Sequence, residues 1–243
     1  MREIVLDTET TGFEPAEGDR IVEIGAVELI GHVPTGRTYH QYINPMRSMP
    51  AGAFGVHGIG PDLLEPPQKP EPGQVLLSDK PVFADIAQDF LDFIGDDVMV
   101  IHNASFDMKF LNAELGWLNR PLLPMTQSLD TLAIARRKFP GSPASLDALC
   151  RRFHIDNSNR TLHGALLDSE ILAEVYLELI GGRQPGFGLA ADTSKTTQSG
   201  DTSEAWRPSA RPTPLASKLT NEEAAAHTAF IESLGDGVLW NRD

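Results

Sequence analysis

The first strand of this chain is the feature that most constrains its fold. Residues 4–6 are apolar and predict a buried strand, and Asp7 and Glu9 follow without a break. Because side chains alternate across a strand, Asp7 and Glu9 project from one face while Thr8 points to the other. Residues 10–12 then predict a tight turn. The sequence therefore places two acids at the end of a core strand, where open α/β sheets bind ligands.

A third acid follows a second predicted strand. Residues 98–101 are apolar within the strand predicted at 98–102, and Asp107 falls in the first turn of a predicted helix that runs to about Trp117. The helix macrodipole also explains this position, because it favours an acid in the first turn of any helix. The segment therefore supplies a candidate ligand that has a structural alternative.

His163 and Asp168 lie in a third segment, residues 161–176, ahead of an apolar helical stripe. Five helical residues turn by about 500°, which would leave the two side chains roughly 140° apart. They converge only if His163 lies in the loop before the helix, a break that Gly164 permits. Here too there are structural alternatives, with Asp168 as a helix N-terminal acid and His163 as a packed histidine.

The order of these residues resembles the DnaQ-like, or DEDDh, family of 3′-5′ exonucleases, most strongly its epsilon-type proofreading subunits of bacterial DNA polymerase III. The resemblance runs almost continuously from residue 1 to about residue 180. It includes the five candidate site residues in order: Asp7, Glu9, Asp107, His163 and Asp168. Unrelated helix N-terminal acids would not be expected to match one family in three ordered segments, which favours a functional site.

The resemblance implies an α/β fold of the ribonuclease H-like type, with a mixed five-stranded sheet flanked by helices. Hydrophobic patterning predicts strands at residues 3–9, 20–30, 37–44, 98–102 and 125–128. It predicts helices at residues 83–95, 105–118, 129–138, 145–153 and 165–179.

The resemblance also implies a site for two divalent ions. Asp7 would contact both ions, Glu9 and Asp168 would complete the catalytic one, and Asp107 would hold the second. Two ions about 3.5–4 Å apart suit phosphodiester hydrolysis, because they clamp the attacking and leaving oxygens. Mg²⁺ prefers such oxygen ligands, and Mn²⁺ suits them as well. His163 would be the general base, since imidazole titrates near neutral pH.

Substrate contacts are expected around the 3′-terminal nucleotide. By resemblance, His57 and His102 would line the nucleotide pocket, although either could instead pack inside the domain. Backbone donors to the 3′ end are expected from the turn after the first strand: Thr10, Thr11 and Gly12. Gly52 stands where many relatives carry an acid, so a contact to the terminal sugar is missing or replaced.

Net charge opposes a strong hold on DNA. The formal charge of −14 repels a polyanion, which predicts weak intrinsic DNA binding and delivery of the 3′ end by a partner. Alternatively, the acidity serves solubility. Cys150 is the single cysteine, which excludes an intramolecular disulfide, and no apolar run approaches the roughly 20 residues that span a bilayer. We expect a cytoplasmic protein that has no membrane partner.

Composition divides the chain into a catalytic domain at residues 1–180, a flexible linker at 181–217 and a C-terminal segment at 218–243. Residues 61–81 look like a proline-rich insertion to which the sequence assigns no function. In the linker, three residues resemble a sliding-clamp-binding peptide, a loose pattern with many chance matches: Gln184, Phe187 and Leu189.

The C-terminal segment predicts a short helix. Thr220 and Glu223 fit a capping box, and Gly235 is placed to end the helix. By resemblance, this segment tethers the chain to the polymerase alpha subunit, with the theta subunit as a further partner. The alternative is a frayed tail. Its apolar anchors are Phe230, Ile231, Leu234, Val238, Leu239 and Trp240.

Three classes of function follow from these residues. The first is a proofreading exonuclease that degrades DNA from its 3′ end, and the second is a relative of ribonuclease T or oligoribonuclease that acts on RNA. The linker and its apolar tail argue against the second class, because such enzymes need no polymerase tether. The third is a binding module without activity, which the intact set of five site residues makes the weakest of the three.

Overall fold

The computed structural model describes residues 1–160, 162–182 and 220–233. The chain divides into two units, Met1–Gly188 and Leu189–Asp243. Within the described residues, we find no helix with the length and apolar character needed to cross a membrane.

The first unit is built on one five-stranded sheet in the order β3-β2-β1-β4-β5. Strands β1, β2 and β3 pair antiparallel, whereas β1, β4 and β5 pair parallel. The mixed sheet predicted from the sequence is therefore confirmed. Its strands are β1 (Arg2–Thr10), β2 (Ile21–Ile30), β3 (Val33–Tyr42), β4 (Val98–Ile101) and β5 (Ser128–Asp130).

Six α-helices among the described residues of the first unit surround this sheet. They are α1 (Ala51–His57), α2 (Phe83–Ile94), α3 (Ala104–Trp117), α4 (Thr131–Lys138), α5 (Leu146–Phe153) and α6 (Ala165–Leu179). All but α1 were predicted within two residues at each end. Helix α1 escaped prediction because it is two turns long and contains two glycines, which lower helix propensity.

The start of β3 differs from the prediction, which placed it at residue 37. Ile30 pairs directly with Val33, so the β2–β3 connection is only two residues long. Gly31 and His32 both adopt the left-handed conformation, at φ 58° and 66°. Such a turn matches the twist of a hairpin and lets pairing begin at once. The sequence lacks the Asn-Gly or Asp-Gly signal that usually marks it.

Both faces of β1 are covered, which explains its nearly continuous apolar run. Ile4 and Leu6 pack in the cluster formed with α2 and α3. Val5 packs on the opposite face, in the cluster that contains Leu172 and Tyr176 of α6. By alternation, Asp7 and Glu9 point to the α6 side, and Thr8 points to the α3 side.

The proline-rich segment 61–81 is packed on the domain. Leu64 and Leu77 are buried in a small cluster with Val22 of β2. The carboxylate of Asp62 accepts hydrogen bonds from the backbone N–H groups of residues 77 and 78, at 3.1 and 2.9 Å. This segment therefore carries its own apolar anchor.

The second unit contains α7 (Asn221–Ser233). The Thr220 hydroxyl accepts from the Glu223 N–H at 3.2 Å, and the Glu223 carboxylate accepts from the Thr220 N–H at 2.9 Å. The predicted capping box is therefore confirmed. Phe230 is 58% exposed. The predicted clamp peptide, Gly235 and the anchors after Ser233 lie outside the described residues.

Candidate active site

A cleft of about 540 Å³ opens where β1 ends and α3 and α6 begin. Ligand atoms of Glu9, His163 and Asp168 lie within 4.8 Å of one another. Asp7 and Asp107 line the same cleft. The structure thus brings together the five residues that the sequence selected as metal ligands and general base.

Close packing of α6 on β2 positions Asp168. Gly25 is paired with Asp7 across the β1–β2 ladder. A Cβ atom on Gly25 would lie 2.2 Å from the backbone of Ala165, so a larger residue would displace the helix. The Ser169 hydroxyl donates to the Gly25 carbonyl at 2.9 Å. The first turn of α6 is therefore seated directly beside the strand pair that carries Asp7.

Asp107 reaches the cleft from the α3 side of the sheet. Its carboxylate is 2% exposed and accepts a hydrogen bond from the Thr8 hydroxyl at 2.7 Å. Asn103, at φ 70°, forms the sharp turn from β4 into α3. Thr8 therefore holds the acid that approaches from the face opposite to Asp7 and Glu9.

His163 lies in an extended segment just before α6, as the sequence predicted. Gly164 precedes the helix at φ −156°, which any residue can adopt. The His163 N–H donates to the Val56 carbonyl at 3.2 Å, which ties this segment to α1. Its Nδ1 is 3.6 Å from Asp168 Oδ2, and nearly half of the side chain is exposed. The imidazole is thus accessible to solvent in the cleft.

Arg160 is a site residue that the sequence reasoning missed. Its guanidinium binds both carboxylate oxygens of Asp168, with Nη2 2.7 Å from Oδ2. It also donates to Asp147 Oδ1 at 2.8 Å and lies 3.0 Å from His163 Nδ1. Only its position three residues before His163 could have marked it, because an arginine in a polar loop has no periodic signal. Arg160 holds Asp168 and His163 in one arrangement.

Burial and mutual repulsion change how these acids titrate. Burial, followed by the charges of Asp168 and Glu23, raises the pKa of Glu9 to about 8. Burial raises the pKa of Asp107 to about 7, against the hydrogen bond from Thr8. The pKa of Asp7 is raised well above its ordinary value by burial and by Asp107. Crowded oxygen ligands that retain protons suit a divalent cation, which would displace those protons.

The electrostatics favour a neutral imidazole at His163. Burial and the adjacent Arg160 guanidinium lower its pKa, although Asp168 opposes this. A neutral ring can accept a proton at neutral pH.

A second cavity of about 500 Å³ adjoins the cleft, with His57 in its wall. His57 Nδ1 accepts from the Ile59 N–H at 3.0 Å, and burial lowers the pKa of this histidine to about 4. Its Nε2 is buried and has no hydrogen-bond partner of normal geometry among the residues that the structure describes, and a weaker contact with the Thr10 backbone only partly offsets the lowered pKa. A neutral ring with Nδ1 as acceptor carries its proton on Nε2, so an unsatisfied donor lies at this cavity. The turn residues Thr10, Thr11 and Gly12 also line it.

Two expected substrate contacts are placed differently. The backbone N–H of Thr11 donates to the Arg20 carbonyl at 2.9 Å, so Thr11 forms part of the cavity wall and offers no free backbone donor. His102 lines the acid cleft and not the cavity beside His57. Its Nδ1 is 2.9 Å from the hydroxyl of Thr131. His57 and His102 therefore line two neighbouring cavities, the second of which contains the acids.

Apolar side chains join the two spaces, and the sequence analysis missed them. Phe13, Val56 and Phe106 line both cavities. Phe13 is 82% exposed. Its place directly after the turn at Gly12 is the signal that could have identified it, because large apolar side chains on a turn are unusual.

Comparison with known proteins identifies the family. The family model described as Exonuclease matches residues 4–176. A DNA polymerase III subunit epsilon from Rickettsia felis is 48% identical over 237 residues, covering 96% of this chain and 97% of that protein. The chain belongs to the exonuclease family of epsilon subunits. A DNA polymerase III subunit epsilon from Escherichia coli K12 is 44% identical and covers 98% of this chain and 97% of its own length.

Solved structures agree with this membership. Exonuclease X in complex with 5′ overhanging duplex DNA is 25% identical at a TM-score of 0.53, with 73% of this chain and 90% of that chain covered. The nuclease domain of 3′hExo, a DEDDh family member bound to rAMP, has a TM-score of 0.58 at 17% identity. The match covers 74% of this chain and 91% of that chain, and at this identity it shows similarity of fold alone. The predicted family is confirmed: this epsilon-family chain is a 3′-5′ exonuclease, and its family is metal-dependent.

Proposed function

We propose that this chain removes mismatched nucleotides from the 3′ end of DNA as nucleoside 5′-monophosphates, using two Mg²⁺ or Mn²⁺ ions. The observation that carries the proposal is the convergence of Glu9, His163 and Asp168 within 4.8 Å, beside a cavity large enough for a nucleotide. The place of action would be a DNA polymerase in the cytoplasm, and the relatives named as DNA polymerase III subunits support the association with a polymerase.

The four carboxylates would hold the ions. Asp7 would contact both, Glu9 and Asp168 would hold the catalytic ion, and Asp107 would hold the second. The donor set fits hard cations, because it consists of crowded carboxylate oxygens whose pKa values are raised at Glu9, Asp7 and Asp107. When bound, such ions supply an activated water and neutralise charge on the phosphate.

His163 would act as the general base. Its neutral imidazole takes a proton from the attacking water, and the nearby Asp168 carboxylate then stabilises the imidazolium that forms. The hydrogen bond from its own backbone to Val56 keeps the ring at the cleft. Arg160 positions both side chains, and burial together with the Arg160 charge lowers the pKa of the imidazole, so the base is unprotonated at neutral pH.

The cavity beside His57 would hold the 3′-terminal nucleotide. The buried Nε2–H of His57 would find in the terminal sugar the acceptor that it lacks among the described residues. Phe13 and Phe106 offer aromatic surface to the base. Gly52 borders the same cavity, and no atom lies within 4 Å of where its side chain would begin. A sugar contact from residue 52 is therefore absent.

The test is a substrate panel with Mg²⁺ or with EDTA. Equal amounts of protein receive a 5′-labelled DNA primer-template with a mismatched 3′ end, its fully paired counterpart, and an RNA oligonucleotide of the same sequence. We expect metal-dependent release of monophosphates, about tenfold faster from the mismatch, because one paired step is worth roughly 1.4 kcal/mol. A clear preference for the RNA would overturn the DNA assignment.

We further propose that residues 218–243 bind the polymerase alpha subunit, with the theta subunit as an additional partner, and that Gln184, Phe187 and Leu189 bind the sliding clamp. The relatives named as subunits of DNA polymerase III support an association with a polymerase. Deleting residues 184–243 should abolish binding to the alpha subunit and leave exonuclease activity intact. Binding measured by gel filtration that survives the deletion would contradict the tether.

A further inference from the structure

Helices α4 and α5 carry basic side chains that are not paired with acids. Among the residues that the structure describes, Lys and Arg side chains outside any ion pair are Lys69, Arg120 and a group on these two helices: Arg136, Arg137, Lys138, Arg151 and Arg152. The single acid in residues 131–153 is Asp147, and Arg160 binds it. A local excess of positive charge therefore exists on a chain whose net charge is −14.

The fold brings these two basic helix ends together. The guanidinium of Arg152 lies 4.2 Å from the ring centre of Phe139, the residue that directly follows α4. Phe139 also packs on Phe153, the last residue of α5, with 5.9 Å between ring centres. The five basic residues are exposed. We refer to them as the α4–α5 basic surface.

This surface continues the acid cleft. Arg136 and Asp147 line the cleft together with the catalytic acids. Arg151 lies four residues after Asp147 on α5, hence on the same helix face and about 6 Å further along. Arg151 and Arg152 border the next shallow depression. No residue of α4 or α5 lines the cavity beside His57.

We propose that the α4–α5 basic surface binds the phosphodiester backbone of the DNA strand on the 5′ side of the nucleotide being removed. The inference rests on the proposed function. With the terminal nucleotide beside His57 and the scissile phosphate at the acids, the preceding nucleotides leave the cleft where α4 and α5 border it. Contacts to phosphates carry no sequence information, which suits an enzyme that must accept every 3′ end.

The helix macrodipole also favours basic residues at these positions. Cations in the last turn stabilise any helix, and Lys138 also donates to the Leu179 carbonyl at 2.8 Å. The macrodipole accounts for the basic residues at either helix end considered separately. It does not account for the meeting of two cationic ends beside the cleft, because like charges repel one another. A polyanion bound across both ends removes this repulsion.

The experiment compares two double variants of the full-length chain with the same change in charge. Arg151→Gln/Arg152→Gln removes two charges from the surface, and Lys69→Gln/Arg120→Gln removes two unpaired charges elsewhere. Each is assayed with Mg²⁺ on a single-stranded DNA oligonucleotide and on the 4-nitrophenyl ester of thymidine 5′-monophosphate, which has no upstream strand. KM is measured over a series of salt concentrations.

For Arg151→Gln/Arg152→Gln, we expect KM for the oligonucleotide to rise about tenfold. The slope of log KM against log salt should fall by about 1.4, since each phosphate contact to a single strand contributes about 0.7. Ester hydrolysis should stay unchanged. The Lys69→Gln/Arg120→Gln control should match the wild type on both substrates.

Three results would count against strand binding by this surface, and a fourth would count against the activity itself. An equal rise in KM in both double variants would show a bulk charge effect and would overturn the assignment of this surface to strand binding. Unchanged KM in Arg151→Gln/Arg152→Gln would overturn it as well. Arg151→Lys/Arg152→Lys keeps the charge and should retain most of the oligonucleotide affinity; a loss equal to that of the glutamine pair would point to a folding defect and also overturn it. Failure of the wild type to hydrolyse either substrate would instead overturn the proposed function.

Discussion

Asp7→Asn should lower kcat on DNA by at least about 10³-fold, equivalent to roughly 4 kcal/mol of lost transition-state stabilisation. The substitution keeps the shape of the side chain and removes the charge that would contact both ions. Asp168→Asn should have a comparable effect. The measurement is single-turnover release of monophosphate from a mismatched primer-template at saturating protein.

The same substitution should stabilise the ion-free protein. Burial, followed by the neighbouring acids, raises the pKa of Asp7 well above its ordinary value, so ionisation of Asp7 opposes folding. Removing that charge relieves the repulsion, and each kcal/mol gained should raise Tm by about 2–4 °C in a domain of this size. Loss of activity together with a gain in stability distinguishes a functional acid from a structural one.

Glu3→Gln is the matched control. Glu3 is a buried carboxylate on the same strand and the same face as Asp7, about 13 Å away along the strand. It accepts a hydrogen bond from the Tyr176 hydroxyl at 2.6 Å, outside the cleft. This variant should keep kcat within about twofold, because no transition-state contact is lost. An Asp7→Asn protein with normal kcat, or a Glu3→Gln protein as inactive as Asp7→Asn, would refute the assigned role.

The parts of the site that were predictable lie in locally patterned sequence. Alternation along β1 places Asp7 and Glu9 on one face, and the structure has them on the side of α6. The loop position of His163 followed from helix geometry alone, since helical residues at that spacing diverge. The periodicity of side chains along each strand or helix, and the residues at which those elements end, therefore determined which acids could come together.

The unpredicted parts depend on tertiary contacts between distant segments. Arg160 becomes a site residue only because α6 is seated on Gly25 of β2, which brings Asp168 to the guanidinium. The N–H of Thr11 is taken up by the carbonyl of Arg20, which lies directly before β2. Neither contact has a periodic signal in the sequence. Such contacts can be found only once the register of the sheet is known.

The stability provided by a bound metal ion should increase with pH. The pKa of Glu9 is raised by burial to about 8 from an unfolded value near 4.5, and that of Asp107 to about 7 from 3.8. Groups with raised pKa values favour folding below the unfolded pKa, and this contribution is lost as pH rises through the folded pKa. The ion-free protein should therefore lose stability between about pH 4 and pH 8, and either carboxylate taken alone accounts for on the order of 4–5 kcal/mol of this loss.

Bound Mg²⁺ should reverse this loss, because it requires deprotonated carboxylates and releases their protons. The difference in Tm between Mg²⁺-loaded and dialysed ion-free protein should be small at pH 5 and largest near pH 8. The contribution of His57 to the pH dependence of Tm cancels in this difference. Its pKa of about 4 makes folding less favourable in acid whether or not metal is present. A Glu9→Gln/Asp107→Asn protein should show a small, flat difference at every pH. A Tm difference in the wild type that does not change with pH would mean that these two carboxylates do not hold the ions, and the ligands would then have to be sought elsewhere in the chain.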